Sequence, residues 1–498
     1  MVYDVKQDGR RKARLVAGGH KTDPGSISSR STVVKGISVR LLDLIAHRDG
    51  LKTLCGDIGN AFITAPCLEK VYTRVGIEFG DSADSIALLV KALYGLRSSS
   101  RAFRAHFAEF LRSFGFNASR YDRDVWMRAR ETNDGYDYIC THVDDFKIVA
   151  RDPVRWMEQI KTVFLIKDDH GPPSYYLGND YVYSEELKCW TVGCSTYLKE
   201  CIRRLENDHS FIDGSLVEHK NPLPDKDHPE MDNSPLLDEA GIRKYQMLVG
   251  MAQWACTIGR LDISYACSSL SRFSAAPRER HLELAIYLFG YLKKYPTRRI
   301  VMDSGKLVLD PSLEVSSFHP DFLEDYDVEP EEVDPNMPKA FGPELSTSVF
   351  FDADHAHDLR TRRSVSGIIV FVGSTPVLWS SKRQGCVATS TYCSEFVAMR
   401  TAVEEAISIR YMLRCLGVPV SDPTDLYGDN FSSIQTATIP DADLKKKHIA
   451  ISYHYVREAV ARKIVNVRHV FSHENFADIC TKALGPNLHN ELAMCILD

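Results

Sequence analysis

A doubled aspartate enclosed by two apolar runs constrains the fold of this chain more than any other stretch. The segment Tyr138-Ile-Cys-Thr-His-Val-Asp-Asp-Phe-Lys-Ile-Val-Ala150 reads as two short strands, Tyr138 to Val143 and Phe146 to Ala150, rich in apolar residues. A tight turn between them puts the Asp144 and Asp145 carboxylates at a hairpin tip. Adjacent negative charges repel, and each raises the pKa of the other. A divalent cation relieves that repulsion, and Mg2+ takes carboxylate oxygens together with substrate phosphates. Alone, such a pair is more often just a turn. A third carboxylate ends another apolar run, Leu54-Cys-Gly-Asp-Ile-Gly-Asn-Ala-Phe-Ile63, so Asp57 reaches the same ions if the two strands are neighbours.

The remainder of the chain has room for more than one such centre. Its 498 residues suggest about three domains. With 44% hydrophobic and 26% charged residues the composition is that of globular protein. No run approaches the length of a membrane span, and the first residues carry no signal-peptide core. Thirteen scattered cysteines argue against a secreted disulfide framework, and Cys189, Cys194 and Cys201 lack the paired spacing of a zinc site. A soluble intracellular protein is expected, cytoplasmic or nuclear. The net charge of −6 hides an asymmetry: residues 1–50 hold ten Lys/Arg and five Asp, while 321–334 hold eight Asp/Glu and no Lys/Arg.

Pattern divides the chain into a mixed α/β part over 1–205, a polar linker over 206–240 and helices over 241–298. An acidic, proline-containing insertion or linker over 299–345, a second α/β part over 346–486 and a tail over 487–498 follow. The second α/β part carries four more acids. Asp352 ends the strand Val349-Phe-Phe-Asp-Ala-Asp354, Glu395 lies in the helix beginning near Tyr392, Asp429 follows a short strand, and Asp478 lies in Asn475-Phe-Ala-Asp-Ile-Cys-Thr-Lys482. Strand end, helix, strand end and helix is the arrangement of an RNase H fold, in which four carboxylates hold two metals. Asp354 rivals Asp352 for the first role; its alternative is a solvent-facing acid.

The order of motifs resembles the reverse transcriptase and RNase H portion of copia-type LTR retrotransposon Pol polyproteins. Lys12-Ala-Arg-Leu-Val-Ala-Gly-Gly-His20 is similar to that family's fingers motif, and Asp57-Ile-Gly-Asn-Ala-Phe62 to its first catalytic motif. Ala92-Leu-Tyr-Gly-Leu-Arg97 is similar to its Leu-Tyr-Gly-Leu motif, His142-Val-Asp-Asp145 to its Tyr-Val-Asp-Asp box and Tyr176-Leu-Gly178 to its Phe-Leu-Gly motif. Further on, Leu270-Ser-Arg-Phe273, Asp352-Ala-Asp-His-Ala-His-Asp358, Arg362-Arg-Ser-Val-Ser-Gly367, Trp379-Ser-Ser-Lys-Arg-Gln384 and Lys447-His-Ile449 continue the likeness. The chain departs from it at Arg97-Ser-Ser-Ser-Arg101 and at His142. It also starts almost at the fingers motif, as an N-terminally truncated copy would.

The resemblance implies a right-hand polymerase of fingers and palm, a helical thumb or connection, and an RNase H-like α/β domain. It implies two Mg2+ ions (or Mn2+) in each of two sites, held by Asp57, Asp144 and Asp145 and by Asp352, Glu395, Asp429 and Asp478. Lys12 and Arg14 meet the incoming triphosphate, or else form a solvated basic face. Phe62 excludes a ribose 2′-hydroxyl, or else is a core aromatic. His473 assists product release, or else is a surface-loop histidine. Lys445, Lys446, Lys447 and Arg457, continued by Arg462, Lys463 and Arg468, track nucleic-acid phosphates, or else form a solvated helix face. The implied partners are an RNA template, a DNA primer, the RNA–DNA hybrid and deoxynucleoside triphosphates. The implied activity is RNA-directed DNA synthesis with degradation of the hybrid's RNA strand. The alternative is a catalytically inactive, nucleic-acid-binding remnant.

Overall fold

The apolar runs around the doubled aspartate form the centre of a sheet. A computed structural model describes residues 2–5, 11–21, 31–167, 173–209, 211–212, 214–309, 315–316, 326, 328–439 and 450–498. The chain divides into two compact units, Met1–Leu42 with Gly50–Pro173, and Asp43–Asp49 with Ser174–Asp498.

In the first unit five strands, β1 (Lys52–Asp57), β2 (Asn117–Ala118), β3 (Val125–Ala129), β4 (Tyr136–His142) and β5 (Asp145–Ala150), lie in the order β1-β5-β4-β3-β2. Every pairing is antiparallel. Helix α1 (Ser99–Ser113) buries Phe103, Phe107 and Leu111 at spacings of four residues, the stripe that an amphipathic helix presents to a sheet. Phe146, Ile148 and Ala150 alternate along β5 onto the same core, as strand geometry requires. The helix Pro153–Lys161 adds Trp156, Met157 and Ile160 to it. Two further antiparallel strand pairs belong to the unit: Val2–Val5 with Arg11–Arg14, and Tyr72–Arg74 with Ile86–Leu88.

The second unit begins with an antiparallel sheet of Tyr175–Tyr176, Asn179–Ser184, Cys189–Gly193 and Arg299–Val301. Four helices, Ser195–Asn207, Glu239–Ile258, Ser264–Ser271 and Glu279–Lys294, share one core through Leu198, Tyr245, Leu248, Leu270 and Leu288. A buried ion pair, Arg260 Nη2 to Asp262 Oδ2 at 2.7 Å, is extended by Tyr291, whose hydroxyl donates to Asp262 Oδ2 at 2.6 Å. Its carboxylate is fully satisfied, which is the condition for keeping a charge out of water.

The C-terminal part is a mixed sheet. The strands β6 (Thr347–Asp354), β7 (Val365–Val372) and β8 (Thr375–Arg383) form an antiparallel meander. β9 (Thr424–Gly428) runs parallel to β6, and β10 (Val465–His469) parallel to β9. Parallel neighbours need a long crossover. The 25-residue helix α2 (Thr391–Cys415) supplies the first, and helices Phe431–Thr438 and Ala450–Ala461 supply the second. Val315–Ser316 adds an edge beside β10.

Several expected borders shift. Residues 174–205 belong to the second compact unit rather than to the first. The expected linker at 206–240 is packed over part of its length: Asn221 is buried, and its amide donates to the Leu484 carbonyl at 3.0 Å. Within the acidic block Glu331 is anchored by Arg410 at 2.7 Å and Arg414 at 2.6 Å. The expected tail at 487–498 is instead a helix, Pro486–Ile496, that buries Leu492, Ala493 and Ile496. Among the described residues no helix is long and apolar enough to cross a membrane.

Candidate active sites

The first site is built by strand register. Asp57, the last residue of β1, stands opposite Asp145, the first of β5, and His142 of β4 stands opposite Asp145 from the other side. Val143 and Asp144 are the turn. Val143 has φ 57°, a left-handed conformation that is strained for a β-branched side chain. The Asp144 carbonyl accepts the Ile58 N–H at 2.9 Å, tying the turn to the end of β1. Gly56 leaves room for the Phe146 ring, because a Cβ there would lie 2.4 Å from its Cζ. Burial, then the charges of Asp144 and Asp57, push the Asp145 carboxyl up to about 6. Asp145 thus feels the charge of both neighbours, although the ligand oxygens of Asp57, Asp144 and Asp145 do not all lie within 4.8 Å of one another.

In this structure the cation beside Asp57 is Lys167, whose Nζ lies 2.7 Å from Oδ1 and 2.9 Å from Oδ2. Tyr94 lies near the same charges; burial, followed by Asp144, raises its hydroxyl pKa. Neither Lys167 nor Tyr94 was singled out from the sequence. Tyr94 stands inside the Leu-Tyr-Gly-Leu motif, a signal that could have found it, whereas nothing local marks Lys167. Phe62 packs on Tyr94 with ring centres 4.8 Å apart and on Phe103 at 6.4 Å. The Arg14 guanidinium lies 5.8 Å from the Tyr94 ring centre. Lys12 lies in the strand Arg11–Arg14, and its side chain is outside what the structure describes. The fingers motif meets the Leu-Tyr-Gly-Leu motif backbone to backbone. Ala17 N–H donates to the Tyr94 carbonyl at 2.7 Å. A Cβ on Gly19 would lie 2.1 Å from the Gly95 oxygen. Arg97 donates from Nε to the Gly19 carbonyl at 3.1 Å.

The second site follows from parallel register. Phe350 of β6 pairs with Tyr427 of β9, and two residues beyond each stands an aspartate, Asp352 and Asp429. Both acids thus emerge at the same end of adjacent strands. Glu395 comes from the second turn of α2, whose cap is the Ser390 side chain accepting the Cys393 N–H. Ligand oxygens of Asp352, Glu395 and Asp429 lie within 4.8 Å of one another, the one such trio of metal-ligating groups among the described residues. Asp478 comes from the 3-10 segment Phe476–Cys480, and Lys482 Nζ lies 2.9 Å from its Oδ2. Gly367, opposite Asp352 on β7, lets this segment approach: a Cβ there would lie 2.6 Å from the Ala477 oxygen.

Burial raises Asp352. Burial together with Asp352 and Asp429 raises Glu395 well above the usual carboxylate range, and burial together with Asp352 pushes Asp478 up to about 8. Glu395 Oε2 and Asp478 Oδ1 are buried without a hydrogen-bond partner. Such orphaned carboxylate oxygens are costly, and hard divalent cations take all-oxygen ligand sets of this kind. The donor set fits Mg2+. Asp354 is instead occupied: His357 Nδ1 lies 2.5 Å from its Oδ2, and His357 Nε2 lies 2.5 Å from the Tyr265 hydroxyl. His473 sits exposed in the 3-10 turn Ser472–Glu474.

The expected phosphate face is corrected at Arg457, which is buried at 2% exposure. Its guanidinium donates to the carbonyls of Thr436 at 2.8 Å and Ile439 at 2.7 Å, a structural task that leaves it no access to a ligand. Arg462 is paired with Glu458 at 2.9 Å and Arg468 with Asp425 at 2.8 Å. Lys445, Lys446 and Lys447 lie outside the described residues.

Residues 1–209 match the family model described as reverse transcriptase (RNA-dependent DNA polymerase). The chain is similar to the retrovirus-related Pol polyprotein from transposon RE1 of Arabidopsis thaliana, with 27% identity over 96% of this chain and 30% of that protein. It is also similar to the Pol polyprotein from transposon TNT 1-94 of Nicotiana tabacum, with 25% identity over 98% of this chain and 34% of that protein. It spans about a third of the length of these relatives. A solved foamy viral protease-reverse transcriptase, in complex with double-stranded DNA, is 12% identical with a TM-score of 0.46, covering 94% of this chain and 64% of that one. Residues 1–209 thus match the reverse transcriptase family model, in a chain similar along nearly its whole length to retrovirus-related Pol polyproteins from transposons.

Proposed function

We propose that this chain copies RNA into DNA at the Asp57, Asp144 and Asp145 site and cuts the RNA strand of the resulting hybrid at the Asp352, Glu395, Asp429 and Asp478 site. The observation that carries the reading is the register that sets Asp57 opposite Asp145 with Asp144 in the adjoining turn. It gathers residues from positions far apart in sequence into one acidic group. Residues 1–209 supply the polymerase, and the mixed sheet with its helices supplies the nuclease.

Two Mg2+ ions would be held by the three acids of the first site and two by the four of the second. When bound, Mg2+ supplies Lewis-acid polarisation of phosphate oxygens and makes a hydroxyl or water a stronger nucleophile near neutral pH. The chain's own residues do the remainder. Phe62, braced on Tyr94 and Phe103, fills the space that a ribose 2′-hydroxyl would need, which selects deoxynucleoside triphosphates. Arg14 offers a guanidinium suited to bidentate phosphate binding. In the second site Thr481 donates its hydroxyl to Asp352 Oδ2 and Lys482 holds Asp478, so the two carboxylates keep their places as the scissile phosphate arrives.

Primer extension with Mg2+ on a poly-rA template with an oligo-dT primer tests the first half, and Asp144→Asn is expected to abolish it. Cleavage of an RNA–DNA hybrid, lost in Asp429→Asn, tests the second. The alternative is a nucleic-acid-binding chain without polymerase activity. It is favoured by the Lys167–Asp57 ion pair, which sets an ammonium on the carboxylate a metal needs; binding of primer–template without extension would establish it.

A further inference from the structure

The first unit holds a second charged feature, unrelated to its acids. A cleft of about 400 Å³ opens beside the sheet edge formed by β2 and β3, within the size range of ligand sites. Arg104 and Arg112 face it from α1, two helical turns apart, with the small Ala108 between them as floor. Arg120 and Arg123 face it from the loop joining β2 to β3. The lining includes no acid. Four guanidinium groups drawn to one concavity repel each other, and the fold holds Arg104 and Arg112 there by fixed contacts. Arg104 Nε is clamped at 2.5 Å by Asp124, which is nearly fully buried, and the Arg112 guanidinium lies 5.3 Å from the Trp126 ring centre. The loop itself is pinned, since the Asp124 carbonyl accepts the Thr141 N–H at 2.9 Å.

We infer that this arginine cleft binds phosphate oxygens of a nucleic-acid backbone, a phosphodiester anchor separate from the carboxylate site. Planar guanidinium groups bind paired phosphate oxygens in a bidentate manner, and several around one concavity suit a chain of phosphates better than a single carboxylate. Trp126 is 3% exposed, so no ring face is offered for base stacking, and the contact reads no sequence. The inference rests on the proposed function for its choice of nucleic acid over a free polyphosphate.

The test uses the full chain and a fluorescent RNA–DNA duplex with a single-stranded template overhang, with affinity measured across a salt series. Each lost phosphate contact lowers the slope of log affinity against log salt by about 0.7–0.9. In the triple variant Arg112→Gln, Arg120→Gln, Arg123→Gln the slope is expected to fall by about 2–3, while the all-lysine triple variant retains it. Thermal melts of both variants verify that they fold. An unchanged slope in the folded glutamine variant overturns the inference, and does so even if that variant loses tripolyphosphate binding, which would make the cleft a site for small phosphates. Loss of binding to an acidic peptide with nucleic-acid binding intact overturns it as well. A wild-type chain that binds no duplex overturns both this inference and the proposed function, whereas duplex binding with unchanged slope leaves the latter standing.

Discussion

Gly367 faces Asp352 across the β6–β7 pair, and the segment bearing Asp478 lies directly over it. A Cβ built there meets the Ala477 oxygen at 2.6 Å, the Thr481 Cγ2 at 2.7 Å and the Cys480 Cβ at 2.9 Å. None of these is the free end of a long side chain, so in Gly367→Ala the segment itself must move. Reaching ordinary van der Waals contact takes about 0.8 Å, and overpacking of this kind costs about 1–3 kcal/mol. For a domain of this size that lowers the melting temperature by about 2–10 °C. The catalytic effect should be larger than the stability effect suggests, because a displacement of about 1 Å of a positioned group costs about 100-fold in rate. Initial rates of hybrid cleavage measured on folded protein should therefore fall about 10- to 100-fold, with primer extension by the same preparation unchanged. Thr481→Ser removes one of the three clashing atoms and keeps the hydroxyl that donates to Asp352, so the double variant should recover part of the rate. A Gly367→Ala protein that cleaves within twofold of wild type and melts at the same temperature would refute the close-approach account.

Four shorter predictions concern the remaining contacts. Asp145 has a folded pKa of about 6 against an ordinary 3.8, so the folded state keeps its proton longer. That stabilisation is present below about pH 4 and lost as pH rises to 6. Discounted for partial solvent exposure, it amounts to about 1–2 kcal/mol, and urea melts in chelator should show Asp145→Asn free of this decline. Phe62→Ala should raise ribonucleotide incorporation relative to deoxynucleotide by about tenfold or more, read by single-nucleotide extension with UTP against dTTP. Lys167→Gln removes a half-exposed pair worth about 0–1 kcal/mol, and should increase the rise in melting temperature caused by adding Mg2+. Arg457→Met leaves two carbonyls without their donor, at about 1–3 kcal/mol each; calorimetry should show the loss, and the salt slope of hybrid binding should not change.

What was legible in the sequence was what local pattern controls. Short apolar runs marked the strands around Asp144 and Asp145, and each acid at a strand end could be placed because a strand end is a local event. The contacts that turn those acids into sites are not local. Lys167 is one lysine among many until the chain returns to lay it on Asp57, 110 residues away. Arg457 shows the converse. Its helix carries basic residues that resemble a solvated face, yet the guanidinium turns inward because Thr436 and Ile439 leave carbonyls there that need a donor. The terminal helix carried a local signal, Pro486 in its first turn after Gly485, a start that proline favours, followed by Leu492, Ala493 and Ile496 on one face.

Glycines bridge the two regimes. Gly19, Gly95 and Gly367 all stand in motifs that pattern could pick out, but pattern alone gives no reason for them. The structure gives one for each: a backbone oxygen lies where a Cβ would go. Gly19 and Gly95 are responsible for joining two remote motifs around Tyr94, and Gly367 for seating Asp478 beside Asp352. In this chain a motif glycine marks where one segment must lie against another, so the acids of each site depend on residues that carry no charge and touch no ligand. Substitutions at those glycines should therefore separate the two proposed activities as cleanly as substitutions of the acids themselves, because each clash is confined to the unit in which it occurs.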